Sequence, residues 1–570
     1  MEMSGRGNAP AERVDQEPTG LRKSVSEHSE ANLREAADGY GESGLRGPVD
    51  GCSVASGCEL PDGRGPDGMR SAAAASTSVP AGCATYAAVD IGASSGRVLM
   101  GRVEDGIMQL DEVYRFDNLQ HRRNGHDCWD VEALFDHVVR GLKAAKEQTG
   151  MVPASIGIDT WAVDFVLLDE ADRRIGDAVA YRDERTQGMY EIADAHMSPQ
   201  EVYARTGIQR QPFNTVYQLL ALKREHPEQL EAARTLLMIP DYLTFRLTGC
   251  KTCEYTNATS TSLLNARTQQ WDAEILDAMG LPGEIFLAPS MPGTVVGALA
   301  PEVAAQVGYE SSVVLPATHD TGSAFLAVPA RDDQAVYLSS GTWSLLGVEN
   351  AEPITTPESY AENFTNEGGY DLRFRYLKNI MGLWMNQSVR REVNGVDYVA
   401  GKTAHHALLD HTVDFDELRA LCREAEPFAS YIDVQDARFL APDSMIDEIR
   451  AACAEAGQPV PQTIGEIMRT IYVSMGRCYA QAVQGLQELT GTTYTSVNIV
   501  GGGCQDYYLN QVTADACGLP VFAGPIEGTS IGNLIVQMIA GGTFASLAEA
   551  RACVARSFDV QEFKPVGTRG

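Results

Sequence analysis

Two aspartates close apolar segments of the chain, where they could bind a magnesium ion. Asp90 ends the segment 86–90 and Asp159 ends the segment 155–159. Mg²⁺ is commonly bound by one or two carboxylates together with phosphate oxygens, and two carboxylates on adjacent strands could share one ion. Either residue could instead cap a turn or a helix, so the pattern leaves both alternatives open.

Three runs of small residues could bind a phosphate group or a planar base. Residues 92–97 read Gly-Ala-Ser-Ser-Gly-Arg, residues 339–342 read Ser-Ser-Gly-Thr, and residues 501–503 are all glycine. Small residues let backbone N–H groups approach an anion closely. None of these runs is a Walker loop or a G-x-G-x-x-G fingerprint, and each is also compatible with an ordinary tight turn.

Asp320 is the candidate general base. It lies in the tetrad His-Asp-Thr-Gly at 319–322, shortly after the apolar segment 313–316. A hydroxyl group is a weak nucleophile until its proton is accepted, and a carboxylate can accept it. The alternative is that Asp320 caps a helix that begins near Ser323. Two acidic strand ends, two phosphate-sized tips and a base fit phosphoryl transfer, in which positioning and charge neutralisation dominate.

The elements that would position these residues alternate between strands and helices. The hydrophobic patterns predict a hairpin at 86–92 and 97–103, which returns as a second strand–turn–strand at 334–347. Further strands are predicted at 155–159, 163–169, 313–316 and 497–500, and helices at 131–149, 302–307, 464–490 and through most of 198–250. We therefore predict two related α/β domains, each opening with a hairpin.

Composition narrows the classes of partner. The chain has 570 residues, of which 44% are hydrophobic, and a net charge of −32, which repels nucleic acid and anionic lipid. We find no apolar run of about 18 residues and no signal-peptide pattern, and we expect a cytoplasmic protein without a membrane partner. The twelve cysteines include one C-x-x-C, at Cys250 and Cys253, without a second pair at zinc spacing; we expect free thiols.

Residues 1–84 differ in character from the rest of the chain. They mix Gly, Ser, Pro and charged residues, with few aromatic residues and no sustained hydrophobic period. Such a segment cannot bury enough apolar surface to offset the entropy lost on ordering. We predict that 1–84 is a disordered extension.

From about Thr85 to about Ala540 the chain resembles the FGGY family of carbohydrate kinases. The resemblance is carried by collinear motifs, namely AVDIGASSGRV, SIGIDTWAVDFVLLD, AYRDERT, PFNTVYQL, IPDYLTFRLTG, EYTNATST, HDTGSA, YLSSGTWSL, NEGG, LKNIMGLW, VGGGCQ and ADACG. The segments TW-x-VDF, NIMGLW and EYTNAT are most similar to the family's L-rhamnulose kinases.

The resemblance implies an α/β fold of two ribonuclease-H-like domains, the actin-like ATPase fold, with the active site in a cleft between them. The implied first lobe, 85–328, holds the sugar site, the phosphate hairpin and the base. The implied second lobe, 329–570, binds the nucleotide. The implied reaction turns ATP and L-rhamnulose into ADP and L-rhamnulose 1-phosphate, in rhamnose catabolism.

The resemblance also implies residue roles. Asp320 would deprotonate the 1-hydroxyl of the ketose, and Asp90 and Asp159 would lie near Mg²⁺. The residues implied to contact the sugar are Ala162, His319, Asp320, Thr321 and Asn379. Those implied to contact ATP are Ala93, Ser94, Ser95, Gly96, Arg97, Thr342, Gln387 and Gly502.

Ala162 departs from the family, which has Gly in the corresponding TWG segment; the added methyl group could narrow the sugar pocket. The extension 1–84 has no counterpart, and the last thirty residues diverge. Three alternatives stay open at this point: a sibling kinase of fuculose, xylulose, ribulose or glycerol, a non-enzymatic actin-like ATPase without a sugar-side base, and a binding protein with a degenerate site. Oligomeric state is not predicted.

Overall fold

The computed structural model describes residues 84–396, 399–400, 407–425 and 427–566. They belong to one compact unit, Arg70–Gly570. The predicted disorder of 1–84 lies outside the described residues, apart from Ala84.

Strands and helices alternate along the chain. The strands are β1 (Thr85–Ile91), β2 (Ser95–Glu104), β3 (Ile107–Asp117), β4 (Gln120–Arg123), β5 (His126–Trp129), β6 (Ser155–Thr160), β7 (Phe165–Leu168), β8 (Arg174–Ile175), β9 (Ala178–Val179), β10 (Thr235–Met238), β11 (Val295–Ala298), β12 (Ser312–Val314), β13 (Ala335–Ser340), β14 (Trp343–Asn350), β15 (Thr365–Gly368), β16 (Phe374–Met381), β17 (Val399–Ala400), β18 (Ser496–Val500), β19 (Val521–Ala523) and β20 (Gln561–Phe563).

The helices flank these strands. They are α1 (Val131–Thr149), α2 (Met189–Asp194), α3 (Pro199–Thr206), α4 (Thr215–Glu225), α5 (Pro227–Ala232), α6 (Ile239–Thr248), α7 (Tyr255–Thr259), α8 (Ala273–Met279), α9 (Pro301–Val307), α10 (Asp320–Leu326), α11 (Pro357–Ala361), α12 (Trp384–Val393), α13 (Phe415–Glu424), α14 (Met445–Glu455), α15 (Ile464–Thr490), α16 (Tyr507–Cys517), α17 (Gly528–Ala540) and α18 (Leu547–Ser557).

The first lobe is built on a six-stranded sheet in the order β11-β12-β6-β1-β2-β3. The predicted opening hairpin is present, with β1 antiparallel to β2. Strand β6 lies parallel to β1 in a register that sets Asp90 opposite Asp159. All residues of β1 and β6 are buried, as expected for central strands covered on both faces. The two acidic strand ends therefore meet at one edge of the sheet.

The second lobe repeats this plan on a seven-stranded sheet in the order β15-β16-β14-β13-β18-β19-β20. Its hairpin, β13–β14, matches the predicted strand–turn–strand. The long helix α15 covers the predicted span 464–490. It starts at a capping box formed by Thr463 and Glu466, and ends at Gly491, whose φ of 68° suits glycine.

Some elements differ from the predictions. The region 198–250, predicted as mainly helical, also contains β10, which pairs antiparallel with β7 in a separate three-stranded sheet. The strand predicted at 163–169 begins only at Phe165, because Val163 has a φ of 68°. The divergent C-terminus forms α18 and β20.

Helix α17 joins the two halves of the chain. Its apolar residues share one core cluster with Tyr86 and Ala88 of β1, and Gly532 brings it against α10, where a Cβ atom would overlap the carbonyl oxygen of Ser323. Within the described residues no helix is long and apolar enough to cross a membrane. The cysteines described there are free thiols.

Candidate active site

A cleft of about 400 Å³ opens between the two lobes. Its walls contain nearly all the residues singled out in the sequence, although these residues come from distant segments of the chain. The predicted residues that line it are Asp90, Ala93, Ser94, Ser95, Arg97, Ala162, His319, Asp320, Thr321, Thr342, Asn379, Gln387 and Gly502. Two predicted residues, Gly96 and Asp159, do not line it.

At the first-lobe tip, Asp90 is held by a network of charged and polar groups. Its Oδ2 accepts from Arg97 Nε at 3.0 Å and from Ser530 Oγ at 2.8 Å. Arg97 also pairs with Glu527 at 2.5 Å. Burial works to lower the pKa of Arg97, but the two carboxylates outweigh it and raise that pKa. Gly96 serves packing, since a Cβ there would overlap the ring of Phe116.

Asp159 lies behind Asp90 and has no solvent exposure. Its Oδ2 accepts from Asn533 Nδ2 of α17 at 2.6 Å, and its Oδ1 is buried without a hydrogen-bond partner. Burial, reinforced by the charge of Asp90, raises the pKa of this carboxyl well above its usual range. Asp159 is therefore coupled to Asp90 by charge, but it does not itself line the cleft.

Asp320 is the first residue of α10, and 31% of its side chain is exposed in the cleft. Its Oδ1 accepts from the backbone N of Thr321 at 2.6 Å and from the Thr321 hydroxyl at 3.1 Å. Burial raises the pKa of the carboxyl, against the opposing effect of His319. The backbone N–H and the hydroxyl of Thr321 fix the direction of the carboxylate. The helix begins at Asp320 and not near Ser323, and its cap position is His319, so Asp320 does not cap the helix as the alternative had it.

Two residues missed in the sequence stand behind His319. Glu367 and Arg375 are directly opposite each other on β15 and β16, with Arg375 Nη1 at 3.1 Å from Glu367 Oε2. Arg375 Nη2 lies 3.1 Å from His319 Nδ1. Burial would raise the pKa of Glu367, but Arg375 and His319 outweigh it and lower it to about 2. The NEGG segment contains Glu367 and was the available signal.

The loop that carries His319 and Asp320 is anchored by a buried acid that sequence reasoning also missed. Glu254, at the N-terminus of α7, accepts from the backbone N of Thr318 at 3.1 Å and from its hydroxyl at 2.7 Å. It accepts as well from the Thr256 hydroxyl at 2.6 Å. The EYTNAT segment thus fixes the loop in front of the base.

Aromatic side chains form one wall of the cleft. Trp161, Tyr181 and Phe213 come from the first lobe, and Trp343 reaches across from β14. The rings of Phe213 and Trp343 lie 5.3 Å apart, and Trp343 Nε1 donates to the Tyr181 hydroxyl at 3.2 Å. Ala162 lies beside Trp161, with its side chain on the cleft surface.

Asp164 and Phe165, which belong to the TW-x-VDF segment, do not line this cleft. Asp164 is 1% exposed and accepts at Oδ2 from the indole N–H groups of Trp129 at 2.6 Å and Trp161 at 2.9 Å. Gln218 donates to its Oδ1 at 2.9 Å. Burial raises the pKa of Asp164 to about 6. Asp164 positions Trp161 from behind.

On the second lobe, the hairpin tip and the glycine turn face the cleft together. The carbonyl of Thr342 accepts from the N of Trp384 at 3.1 Å, which fixes the tip to α12. Gly503 packs on Ser340, where a Cβ would overlap the hydroxyl. Gly502 has open space on its Cβ side and lines the cleft. Gly501 also lines the cleft, but a Cβ there would lie 3.0 Å from the carbonyl oxygen of Ser340, so Gly502 is the more open of the two glycines.

Family models match both halves of the chain. The model of the N-terminal domain of the FGGY family of carbohydrate kinases matches residues 85–327, and that of the C-terminal domain matches residues 336–541.

Full-length relatives are also similar. The rhamnulokinase of Oceanobacillus iheyensis is 46% identical over 85% of this chain and 99% of its own length. That of Halalkalibacterium halodurans is 47% identical over 84% of this chain and 98% of its own length.

Among solved structures, gluconate kinase from Lactobacillus acidophilus aligns with a TM-score of 0.66 at 16% identity, covering 84% of this chain and 93% of that one. Plasmodium falciparum glycerol kinase with ADP aligns with a TM-score of 0.64 at 14% identity, covering 85% and 94%. These neighbours share the two-lobed fold predicted from the sequence.

Proposed function

The chain belongs to the FGGY family of carbohydrate kinases, and from this premise we propose that it phosphorylates the 1-hydroxyl of L-rhamnulose with ATP, giving L-rhamnulose 1-phosphate and ADP. The observation that carries this proposal is the similarity, at 46–47% identity over nearly their whole length, to proteins named rhamnulokinase. The reaction belongs to rhamnose catabolism, and we place it in the cytoplasm, where ATP is supplied.

In the proposed mechanism Asp320 is the catalytic base. Its carboxylate accepts the proton of the 1-hydroxyl, and the oxygen attacks the γ-phosphorus of ATP. The new O–P bond forms as the bond from the γ-phosphorus to the β-bridging oxygen breaks, and ADP leaves. The support is that Asp320 is partly exposed in the cleft and fixed in direction by Thr321. Closing of the lobes around the substrates would exclude water and align the reacting atoms.

We propose that the lobes divide the substrates between them. The first, 85–328, would bind the sugar through Ala162, His319, Thr321 and the aromatic wall, with Asn379 contributing from the second, 329–570. The nucleotide phosphates would lie between the two hairpin tips, against Ala93, Ser94, Ser95, Gly96 and Arg97 on one side and Thr342, Gln387 and Gly502 on the other. The support is that these residues, apart from Gly96, line one cleft. Gly96 contributes only to the shape of the first-lobe tip.

The residues present fit a magnesium ion at the first-lobe tip. Asp90 ends β1 and lines the cleft, and Mg²⁺ needs only one or two carboxylates when phosphate oxygens and water supply the rest. Asp90 would hold the ion through water, and Asp159, buried behind it with an unpartnered Oδ1, would lie near it. When bound, the ion would neutralise charge on the phosphate oxygens.

The test is ADP release with ATP and Mg²⁺ against a panel of L-rhamnulose, L-fuculose, D-xylulose, L-ribulose and glycerol. A preference for L-rhamnulose supports the proposal and means that the Ala162 methyl group is tolerated. Preference for another sugar retains the kinase mechanism and overturns the substrate. ATP turnover that ignores every sugar, in a folded protein, overturns the kinase assignment in favour of an actin-like ATPase.

A further inference from the structure

The contacts of His319 point to a proton arrangement that the proposed function leaves unspecified. The side chain is 6% exposed and lies between two sets of groups. On one side, Nε2 is 3.5 Å from Oδ1 of Asp320, and both residues line the cleft. On the other side, Nδ1 is 3.1 Å from Arg375 Nη2 and 3.3 Å from Glu367 Oε2.

The chemistry of Arg375 determines whether Nδ1 of His319 donates or accepts a hydrogen bond. A guanidinium group only donates hydrogen bonds and stays protonated in proteins. Arg375 is 1% exposed and cannot turn its N–H groups to water. Its Nε donates to the carbonyl oxygen of Gly368 at 3.0 Å, which fixes the plane of the group. With Nη2 aimed at His319, the ring nitrogen that meets it must supply a lone pair.

Glu367 completes the arrangement from the neighbouring strand. It is 4% exposed and neutralises Arg375 through their ion pair across β15 and β16. Its other oxygen, Oε1, accepts from Asn379 Nδ2 at 3.2 Å. The carboxylate is therefore shared between Arg375 and a residue of the predicted sugar site, and a buried charge pair is held beside the imidazole.

We propose that Arg375, supported by Glu367, is a positioning residue that holds His319 in its Nε2–H tautomer, so that Nε2 donates a hydrogen bond to a sugar oxygen beside the base. The inference rests on the proposed kinase function and not on the identity of the sugar. The 3.5 Å between Nε2 and Asp320 Oδ1 exceeds a good hydrogen bond, which leaves the N–H directed toward an oxygen of the substrate. In the opposite tautomer Nδ1 would donate to Glu367 and Nε2 would only accept.

The first test reads the tautomer directly in the intact wild-type protein. Long-range ¹H–¹⁵N spectra of histidine-labelled protein report which ring nitrogen carries the proton, and the signals of His319 are assigned by their loss in His319→Gln. We expect an unprotonated Nδ1 and a protonated Nε2. A proton on Nδ1, or on both nitrogens, overturns the proposal. This result depends on no variant of Arg375 folding.

The second test compares Arg375→Met with Arg375→Lys, using whichever sugar wild type phosphorylates fastest. Arg375→Met should raise the KM for sugar at least ~10-fold, because Nδ1 of His319 can then donate to Glu367 and Nε2 no longer donates to the substrate. The KM for ATP should stay within about 2-fold. Arg375→Lys should recover part of the loss because a donor is retained. Arg373→Met is the matched control, since Arg373 lies two residues earlier and donates to a backbone carbonyl at the surface.

Equal changes in both KM values, or an unchanged KM for sugar in a folded Arg375→Met protein, overturn the proposal. The sugar panel separates the two proposals: a different preferred sugar changes the substrate assignment only, whereas wild-type tautomer and KM results decide the role of Arg375.

Discussion

At Asp320, burial raises the pKa of a carboxyl that must be ionised to accept a proton. The nearby Glu367 is also buried, yet its pKa falls to about 2 because Arg375 faces it. In the proposed mechanism Asp320 takes up a proton, whereas the ion pair with Arg375 keeps Glu367 charged. This is the pattern of environments that distinguishes proton-transfer groups from fixed charges.

We expect Asp320→Asn to fold normally and to lower turnover by ~10²–10⁴, the usual contribution of a general base. The amide still fits the site but cannot accept the proton. The measurement is sugar-dependent ADP release, with circular dichroism as the check on folding. In wild type, the raised pKa moves the acid limb of kcat/KM above the ordinary aspartate value of about 3.9. Near-normal turnover in folded Asp320→Asn would remove Asp320 from the role of base.

Asp164 should make stability depend on pH. Its folded pKa of about 6 lies above the unfolded value of about 3.9, so its contribution is fully present below pH ~3.9 and is lost as pH rises through about 6. The loss is on the order of 3 kcal/mol. Asp164→Asn should therefore gain stability relative to wild type between pH ~4 and ~7.5, measured by urea unfolding. The exposed Asp136→Asn should parallel wild type, and a pH-independent difference for Asp164→Asn would contradict the expectation.

At the scale of elements, the sequence was most informative where a pattern is local. The two hairpins, α1 and α15 follow from the hydrophobic period. The two strands that end in Asp were predicted as possible neighbours, but their register comes from the structure. Strand β10 was hidden in a helical region because Thr235–Met238 is too short for a period. Glu367 and Arg375 could not be paired without the register of β15 and β16, since the partner is set by tertiary structure.

Glu254, the N-cap of α7, should affect both the stability of the protein and its activity. Glu254→Ala removes a buried acceptor from several donors, including both polar groups of Thr318. Unsatisfied buried donors are costly, and we expect a loss of about 3 kcal/mol or more in the free energy of unfolding, with a fall in turnover because the loop before Asp320 loosens. Urea unfolding and ADP release test this. Glu310→Ala, at an exposed position, should change stability by no more than ~0.5 kcal/mol.

At the scale of the whole molecule, two lobes enclose a cleft to which both contribute, and the sequence predicted this architecture through the repeated hairpin and the family motifs. The packing of α17 on the first sheet was not predictable, because Ser530, Asn533 and Gln537 contact residues more than 370 positions earlier. Most residues of α17 are buried, so a local hydrophobic period cannot show which sheet the helix covers.

The extension 1–84 provides the test at this scale. Its composition predicts that it buries little surface, so deleting it should leave turnover and melting temperature nearly unchanged. Sugar-dependent ADP release and thermal unfolding of the shortened chain measure both. A large loss of either would mean that the segment docks on the kinase.

Helix α17 has a consequence for the order in which the protein can mature on the ribosome. The side chains of Tyr86 and Ala88 on β1 share a core with Ile531, Leu534 and Ile535 on α17. Helix α17 is therefore synthesised more than 400 residues after the strand on which it packs. Domains made during translation usually fold as they emerge, but here the first lobe stays uncovered on one face until the chain has passed residue 540. A nascent chain stalled before that point would expose this face, and Asp90 would lack the hydrogen bond from Ser530.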